Sequence, residues 1–236
     1  MLEDLWPDYL EQRRVAARRG TVTQNERQWR TLIKPKYGHL PLARLTTRAI
    51  QSWVAELEPE YSANYVINTI GTLRGILDIA VTDGLMADNP CTGVKLPKRP
   101  ARKLARRYLK PAEVQAVAEQ LEGQNLRAFL TLVYVGLRWG ELAGLDVRDV
   151  DFDRKRIRVH TSAAYLPNDE GEWEWHEGST KTNQVRSAGY PPKLEPMLRA
   201  RVGKGGGDEI LFPSEGGGRW RQPAKQSGKH RVEWLE

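Results

Sequence analysis

Two residues, Arg138 and Lys181, sit in surroundings that suit chemistry on a phosphate. Residues 136–149 read Gly-Leu-Arg-Trp-Gly-Glu-Leu-Ala-Gly-Leu-Asp-Val-Arg-Asp, so Arg138 closes an apolar helical stretch and precedes a turn carrying Glu141. Ser179-Thr180-Lys181-Thr182 follows, then Arg186 and Tyr190-Pro191-Pro192, in a stretch that reads as a hairpin. A guanidinium offers a rigid fork of donors to two phosphate oxygens, and a lysine offers a mobile point charge or a proton. Fixed cationic donors stabilise the charge that builds on phosphorus during a transesterification. A lysine within reach of a leaving hydroxyl can protonate it. Taken singly, neither residue is distinctive. Arg138 could be a surface arginine paired with Glu141 or Asp146, and Lys181 an exposed lysine in a turn.

Other chemistries fit less well. His160 and His176 lie near Asp169, Glu170, Glu172, Glu174 and Glu177, but the Glu-Trp-Glu-Trp alternation over 172–175 reads as a two-faced strand rather than a ligand cage. Gly203-Lys204 and Gly228-Lys229 lack the spacing and the hydroxyl residue of a nucleotide-binding loop. Neither a metal nor a cofactor is expected. Cys91 is the single cysteine, which excludes an internal disulfide, fits a reducing cytoplasm and reads as a small apolar filler beside the Asn89-Pro90 turn.

The elements that must carry these residues are helical first and mixed later. Of the 236 residues, 39% are apolar, and the net charge of +7 favours an anionic partner, nucleic acid ahead of membrane. No apolar run approaches the ~18–20 residues of a membrane span, and the start shows no basic-then-apolar leader. Leu2, Leu5, Trp6, Tyr9 and Leu10 recur at helical spacing, with Gly20 as a stop. Thr21 or Thr23 caps an expected second helix with Trp29, Leu32 and Ile33, ending before Pro35. A third runs from Thr46 or Thr47 through Ile50, Trp53, Val54 and Leu57 to Pro59. A fourth starts at Ser62 and closes near Gly84. The segment 95–107 carries Lys95, Lys98, Arg99, Arg102, Lys103, Arg106 and Arg107 with Pro97 and Pro100 and no acid, which predicts an extended basic linker. Beyond it, Lys110-Pro111 opens a helix that Gly123 breaks, and Leu126–Val135 forms a buried one. Strands are predicted at Ile157–His160, Glu172–His176 and near Gln184–Tyr190, with a helix on Leu194, Met197, Leu198 and Val202. In the Gly-rich remainder only Ile210–Pro213 reads as ordered. The expected division is 1–95 helical, 96–107 linker and 108–236 mixed.

In this order the segments resemble the tyrosine recombinases, the phage integrase family. The resemblance rests on Gly136-Leu137-Arg138-Trp139-Gly140-Glu141-Leu142, on Thr180-Lys181-Thr182 with Arg186 and Tyr190-Pro191, and on four upstream phrases: Ile33–Gly38, Leu42–Thr46, Thr72–Val81 and Asn89-Pro90. It covers roughly residues 1–215. It implies a mainly α fold with a small antiparallel β-sheet: a four-helix SAM-like core-binding domain, then an α+β catalytic domain truncated at its C-terminus. It implies a C-shaped clamp on double-stranded DNA at an attachment core site, with Arg138 on the scissile phosphate, Glu141 supporting local structure and Lys181 delivering a proton. DNA-binding candidates are Arg27, Arg30, Lys34, Arg74, Lys98, Arg99, Arg102, Lys103, Arg106, Arg107 and Arg186. Intact relatives exchange strands through a 3′-phosphotyrosyl intermediate with no energy cofactor, as a tetramer on DNA. That chemistry belongs in the cytoplasm of a bacterial host, with a phage or prophage origin; this chain is expected to be a monomer in solution.

The family's His-x-x-Arg pair, further His or Trp and tyrosine nucleophile are expected downstream. His230-Arg231-Val232-Glu233 has Glu where that arginine belongs, and no tyrosine follows Tyr190. The C-terminal part is therefore expected to be cut or replaced, or naturally incomplete. A DNA-binding module without chemistry, a decoy occupying attachment sites, is the second reading. A type IB topoisomerase is a weaker third, disfavoured by the helical module around Asn89-Pro90.

Overall fold

The computed structural model describes residues 1–99, 108–179, 185–203, 206–214 and 216–221. It divides into two compact units, Met1–Arg107 and Tyr108–Glu236. The described residues are mainly helical, with small antiparallel sheets confined to the second unit. None of their helices is long and apolar enough to cross a membrane.

In the first unit α1 spans Trp6–Ala16, α2 Arg19–Gln28, α3 Thr47–Leu57 and α4 Ala63–Thr82, with a π-helix, Trp29–Gly38, prolonging α2. The caps expected for α3 and α4 are present. Thr46 Oγ1 accepts the amide of Ala49 at 3.2 Å and Ser62 Oγ that of Tyr65 at 3.4 Å, so each hydroxyl satisfies an amide that the first helical turn leaves open. Helix α3 ends at Leu57, ahead of Pro59, after burying Ile50, Trp53, Val54 and Leu57 on one side.

Three expectations fail at α2 and its extension. Gly20 does not stop a helix; it is the second residue of α2, and the break falls at the extended residues Ala17 and Arg18. Amides in a first turn have no helical partner in any case, so a glycine there costs little ladder. Neither Thr21 nor Thr23 is the cap; Thr23 Oγ1 instead bonds back to the Arg19 carbonyl at 3.0 Å, the usual mid-helix escape for a hydroxyl. Pro35 does not end the helix either, because it lies inside the π-helix. A proline ring collides with the carbonyl four residues back in an α-helix. The wider i→i+5 turn moves that carbonyl aside.

The core of this unit joins Leu2, Leu5 and Tyr9 to Trp29, Ile33 and Tyr37, and both groups to α3 and α4. Trp6 stacks on Trp29 with ring centroids 4.7 Å apart, and Tyr37 meets Trp53 edge-on at 5.0 Å. A buried polar stitch crosses from α2 to α4: Asn25 Nδ2 donates to Thr72 Oγ1, and Thr72 Oγ1 donates to Gln28 Oε1, both at 2.8 Å. Cys91 is buried in this core, as its filler reading expects.

In the second unit α5 is Pro111–Ala118, α6 Gly123–Val135, α7 Trp139–Ala143 and α8 Glu195–Val202. Strands β1 (Val150–Asp151), β2 (Arg156–Val159) and β5 (Arg186–Gly189) form an antiparallel sheet in the order β1-β2-β5, and β3 (Thr161–Pro167) pairs with β4 (Trp173–Ser179). Three of these strands fall where the alternation predicts them; β1 and β3 were not expected. The core gathers Leu142, Leu145, Ile157, Val159, Leu194, Leu198, Leu211 and Phe212. The 206–211 stretch is ordered by backbone bonds, Val147 N to Glu209 O at 2.8 Å and Leu211 N to Leu145 O at 2.9 Å.

Helix α7 lies directly on β3, and two glycines make this possible. A Cβ at Gly140 would stand 2.5 Å from Ser162 Oγ and 3.1 Å from the Ala163 carbonyl oxygen. One at Gly144 would stand 3.1–3.2 Å from backbone atoms of Thr161 and Ala163.

Helix α4 supplies a paired test of packing in the first unit. A Cβ at Gly71 meets nothing within 4 Å, whereas one at Gly75 would stand 2.5 Å from the ring of buried Tyr9. Thermal unfolding should therefore show Gly71→Ala stabilising by about 0.5–1 kcal/mol. Gly75→Ala should destabilise by about 1–3 kcal/mol. The same sign for both would contradict the placement of Tyr9.

Candidate phosphate-binding site

Arg138 is presented by a turn that begins at Gly136. This residue ends α6 at φ 68, ψ 41, its amide bonded to the Leu132 carbonyl at 3.1 Å. That left-handed conformation favours glycine and turns the chain out of the helix. Leu137 then points into the core, and Arg138, extended at φ −78, ψ 155, precedes the first residue of α7.

Glu141 holds this turn. Its side chain is 1% exposed. Oε1 accepts Nη1 of Arg138 at 2.7 Å, while Oε2 accepts the Arg138 amide at 2.8 Å and Nη2 of Arg186 at 2.7 Å. The same Arg186 nitrogen donates to the Gly136 carbonyl at 3.3 Å. One buried carboxylate therefore ties the start of α7 to strand β5, 45 residues on. Burial pushes the Glu141 pKa up; the Arg138 amide and the guanidinia of Arg186 and Arg138 more than offset this, and the net shift is downward. The carboxylate is thus charged at neutral pH and held by donors on both oxygens. Arg138 itself keeps 55% of its side chain exposed.

Of the two partners the sequence offered Arg138, the structure takes Glu141 and not Asp146. Asp146 instead meets Arg148 at 3.3 Å and Arg219 at 3.2 Å. The pairing is the geometry of a structural arginine, and the exposure leaves the rest of the fork open to a ligand. Lys181 lies outside the described residues, as do Arg102, Lys103, Arg106 and Arg107. The expectation that Lys181 approaches Arg138 rests on the resemblance alone.

The remaining candidates divide by environment. In the first unit Arg27, Arg30 and Lys34 are exposed along α2 and its π extension, with Lys34 Nζ 3.9 Å from Glu3. Lys98 and Arg99 are exposed ahead of the undescribed stretch. Arg74 is different. It is half-buried, and its Nη2 donates to the Cys91 carbonyl at 2.7 Å, which braces the turn at Asn89-Pro90. His160 Nε2 lies 2.8 Å from Asp149 and its Nδ1 2.7 Å from Thr161, a closed structural set. Tyr190 is buried; burial first, then Glu195 and Asp151 against the opposing pull of Arg199, raises its hydroxyl pKa. That is the opposite of an activated nucleophile.

Sequence reasoning missed residues 219–221. Arg219 is 12% exposed and donates to the Ala143 carbonyl at 2.6 Å, to Asp146 at 3.2 Å and meets Glu177 of β4 at 2.5 Å. Trp220 meets Trp139 edge-on at 6.0 Å, and the Arg221 guanidinium stands 4.1 Å over the Tyr165 ring. The Arg-Trp-Arg tripeptide thus straps the β3–β4 hairpin to α7. Its one signal in the sequence is a cluster of large side chains directly after Gly216–Gly218.

No family model matches the chain. It is 30% identical over 199 residues to a XerC-like tyrosine recombinase of Caldanaerobacter subterraneus, covering 79% of this chain and 51% of that protein. It is 28% identical over 206 residues to the integrase of Mycobacterium phage D29, covering 85% and 52%. The chain thus spans about half the length of the curated relatives it matches. Its fold matches the Tn1549 transposon integrase in complex with transposon right end DNA, with a TM-score of 0.74 at 21% identity over 93% of this chain and 73% of that one. It matches lambda integrase bound to DNA at a TM-score of 0.64 and 18% identity, over 93% and 72%. Across most of its length the chain is thus similar in sequence to tyrosine recombinases, phage integrases among them, and it carries the fold that these integrases share.

Proposed function

We propose that this chain binds duplex DNA and serves site-specific recombination, with Arg138 held against a backbone phosphate. The observation that carries this is the Glu141 anchor: a buried carboxylate fixes the base of an arginine whose side chain remains more than half exposed. A charged donor fixed in place before its ligand arrives loses little freedom on binding and needs no rearrangement as charge develops. The relatives named as tyrosine recombinases and integrases, and the integrase structures that contain DNA, support the same reading.

In this reading Arg138 polarises the phosphate and Lys181 protonates the leaving hydroxyl. The chain binds the duplex at an attachment core site. Arg27, Arg30, Lys34, Lys98 and Arg99 engage phosphates from the first unit, and the basic residues Arg102, Lys103, Arg106 and Arg107 add to the same charge. An intact recombinase of this kind acts as a tetramer on DNA in a bacterial cytoplasm; this chain alone is a monomer in solution.

The 236 residues bind without cleaving. Tyr190 is the last tyrosine of the sequence, and it is buried with a raised pKa. Loss of a nucleophile that works as a unit with its partners removes many orders of magnitude of rate.

The DNA reading is tested by titrating a labelled duplex at several salt concentrations. About six to ten phosphate contacts predict a log–log slope of about −5 to −9. A flat dependence would remove the phosphate-dominated mode. A nicked suicide duplex should be shifted in a native gel and yield no covalent adduct under denaturing conditions. An adduct mapping to Tyr190 or to any other tyrosine of the chain would show that the nucleophile is present after all.

A further inference from the structure

The geometry points to a role for Arg186 distinct from DNA contact: it is a counter-charge to Glu141 that leaves the positive charge of Arg138 unbalanced, and so available to a phosphate. This rests on the proposal that Arg138 is the phosphate ligand. Glu141 is 1% exposed, so water does little to screen it, and its charge must be met by the protein. Arg138 alone would meet it, through the 2.7 Å pair on Oε1. The pair would then be neutral overall, and an approaching phosphate would find a guanidinium already matched by a carboxylate. Arg186 changes this. It takes Oε2 at 2.7 Å from the other side and brings a second positive charge to the same carboxylate. Two guanidinia and one carboxylate leave a net charge of one, and the more exposed partner is Arg138, at 55% against 39% for Arg186.

Arg186 is placed for this task more than for reaching DNA itself. Its Nη2 is committed to Glu141 and to the Gly136 carbonyl, the residue whose left-handed turn launches Arg138. It is a positioning residue, acting through Glu141 on Arg138.

The charge of the three-residue cluster can be varied while its hydrogen-bonding shape is kept. Binding to a labelled mixed-sequence duplex of about 30 base pairs is followed by anisotropy between 50 and 200 mM salt, and the slope reports the phosphates neutralised. Arg138→Gln should flatten the slope by about one, about a three- to four-fold loss of the affinity ratio across that range. Arg186→Gln should flatten it equally, although Arg186 does not touch DNA. Arg186→Gln combined with Glu141→Gln should restore the wild-type slope, because the charge that neutralises Arg138 is gone. Arg186→Lys, which keeps the charge and loses the fork, should stay near wild type.

Each other outcome decides the matter. An Arg186→Gln slope that Glu141→Gln does not restore makes Arg186 a direct DNA contact and overturns the proposal. An unchanged slope, with only a lowered unfolding temperature, makes Arg186 a purely structural brace and overturns it equally. If Arg138→Gln itself leaves the slope unchanged, the failure belongs to the assignment of Arg138 under the proposed function.

Discussion

A carboxylate removed from water must be answered by donors, and in this protein that requirement organises the second unit around Glu141. Both of its oxygens are engaged, by the amide and guanidinium of Arg138 and by the guanidinium of Arg186. Leaving one oxygen unmet would cost more than an ordinary hydrogen bond gains, because the desolvation is already complete. The three groups are therefore bound to one geometry. Strand β5 cannot shift relative to α7 without stranding the charge, and the Gly136 turn cannot relax without losing its bond to Arg186. What a phosphate site asks for, a cation fixed before the ligand arrives, follows from the need to satisfy one acid.

The opposite end of α7 is held by a different device with the same logic. Arg219 is nearly buried, and it answers the Ala143 carbonyl, Asp146 and Glu177 together. Five helical residues are too few to be stable by themselves. Helix α7 persists because a guanidinium engages each of its ends and because its glycines let it rest on β3. The short helix is thus a product of tertiary contacts.

What could be read beforehand, and what could not, follows the range of the interactions. Caps at Thr46 and Ser62 act across three residues, and both are visible in the sequence. The Arg138–Glu141 pair is equally local and was one of two partners the sequence allowed. Arg186 reaches Glu141 across 45 residues, Arg219 reaches Ala143 across 76, and no pattern of neighbours announces either. Pro35 shows a different limit. The rule that proline ends a helix assumes α geometry, and the Trp29–Gly38 segment adopts the wider turn for which the rule was not made. Strand β3 was hidden because Thr161–Pro167 holds alanines and no strong alternation; its partner β4, with Trp173 and Trp175, carries the signal for both. Arg138 and Arg186 were legible as residue types, while their shared contact with Glu141 was not.

The seating of α7 on β3 has a consequence for how this sequence can drift. At position 140 the nearest obstacle is the hydroxyl of Ser162, a side chain that can itself be replaced. A smaller residue at 162 would remove that 2.5 Å clash, so the two positions constrain each other's alphabet, but the Ala163 carbonyl oxygen at 3.1 Å would still press on any side chain at 140. Position 144 has no such counterpart. Everything crowding it is main chain, from Thr161 and Ala163, and every amino acid brings the same main chain. No second substitution in β3 can make room there. Two glycines that look alike in the sequence therefore differ in degree: part of the crowding at 140 can be relieved through a partner, and that at 144 stays for as long as the helix keeps its seat.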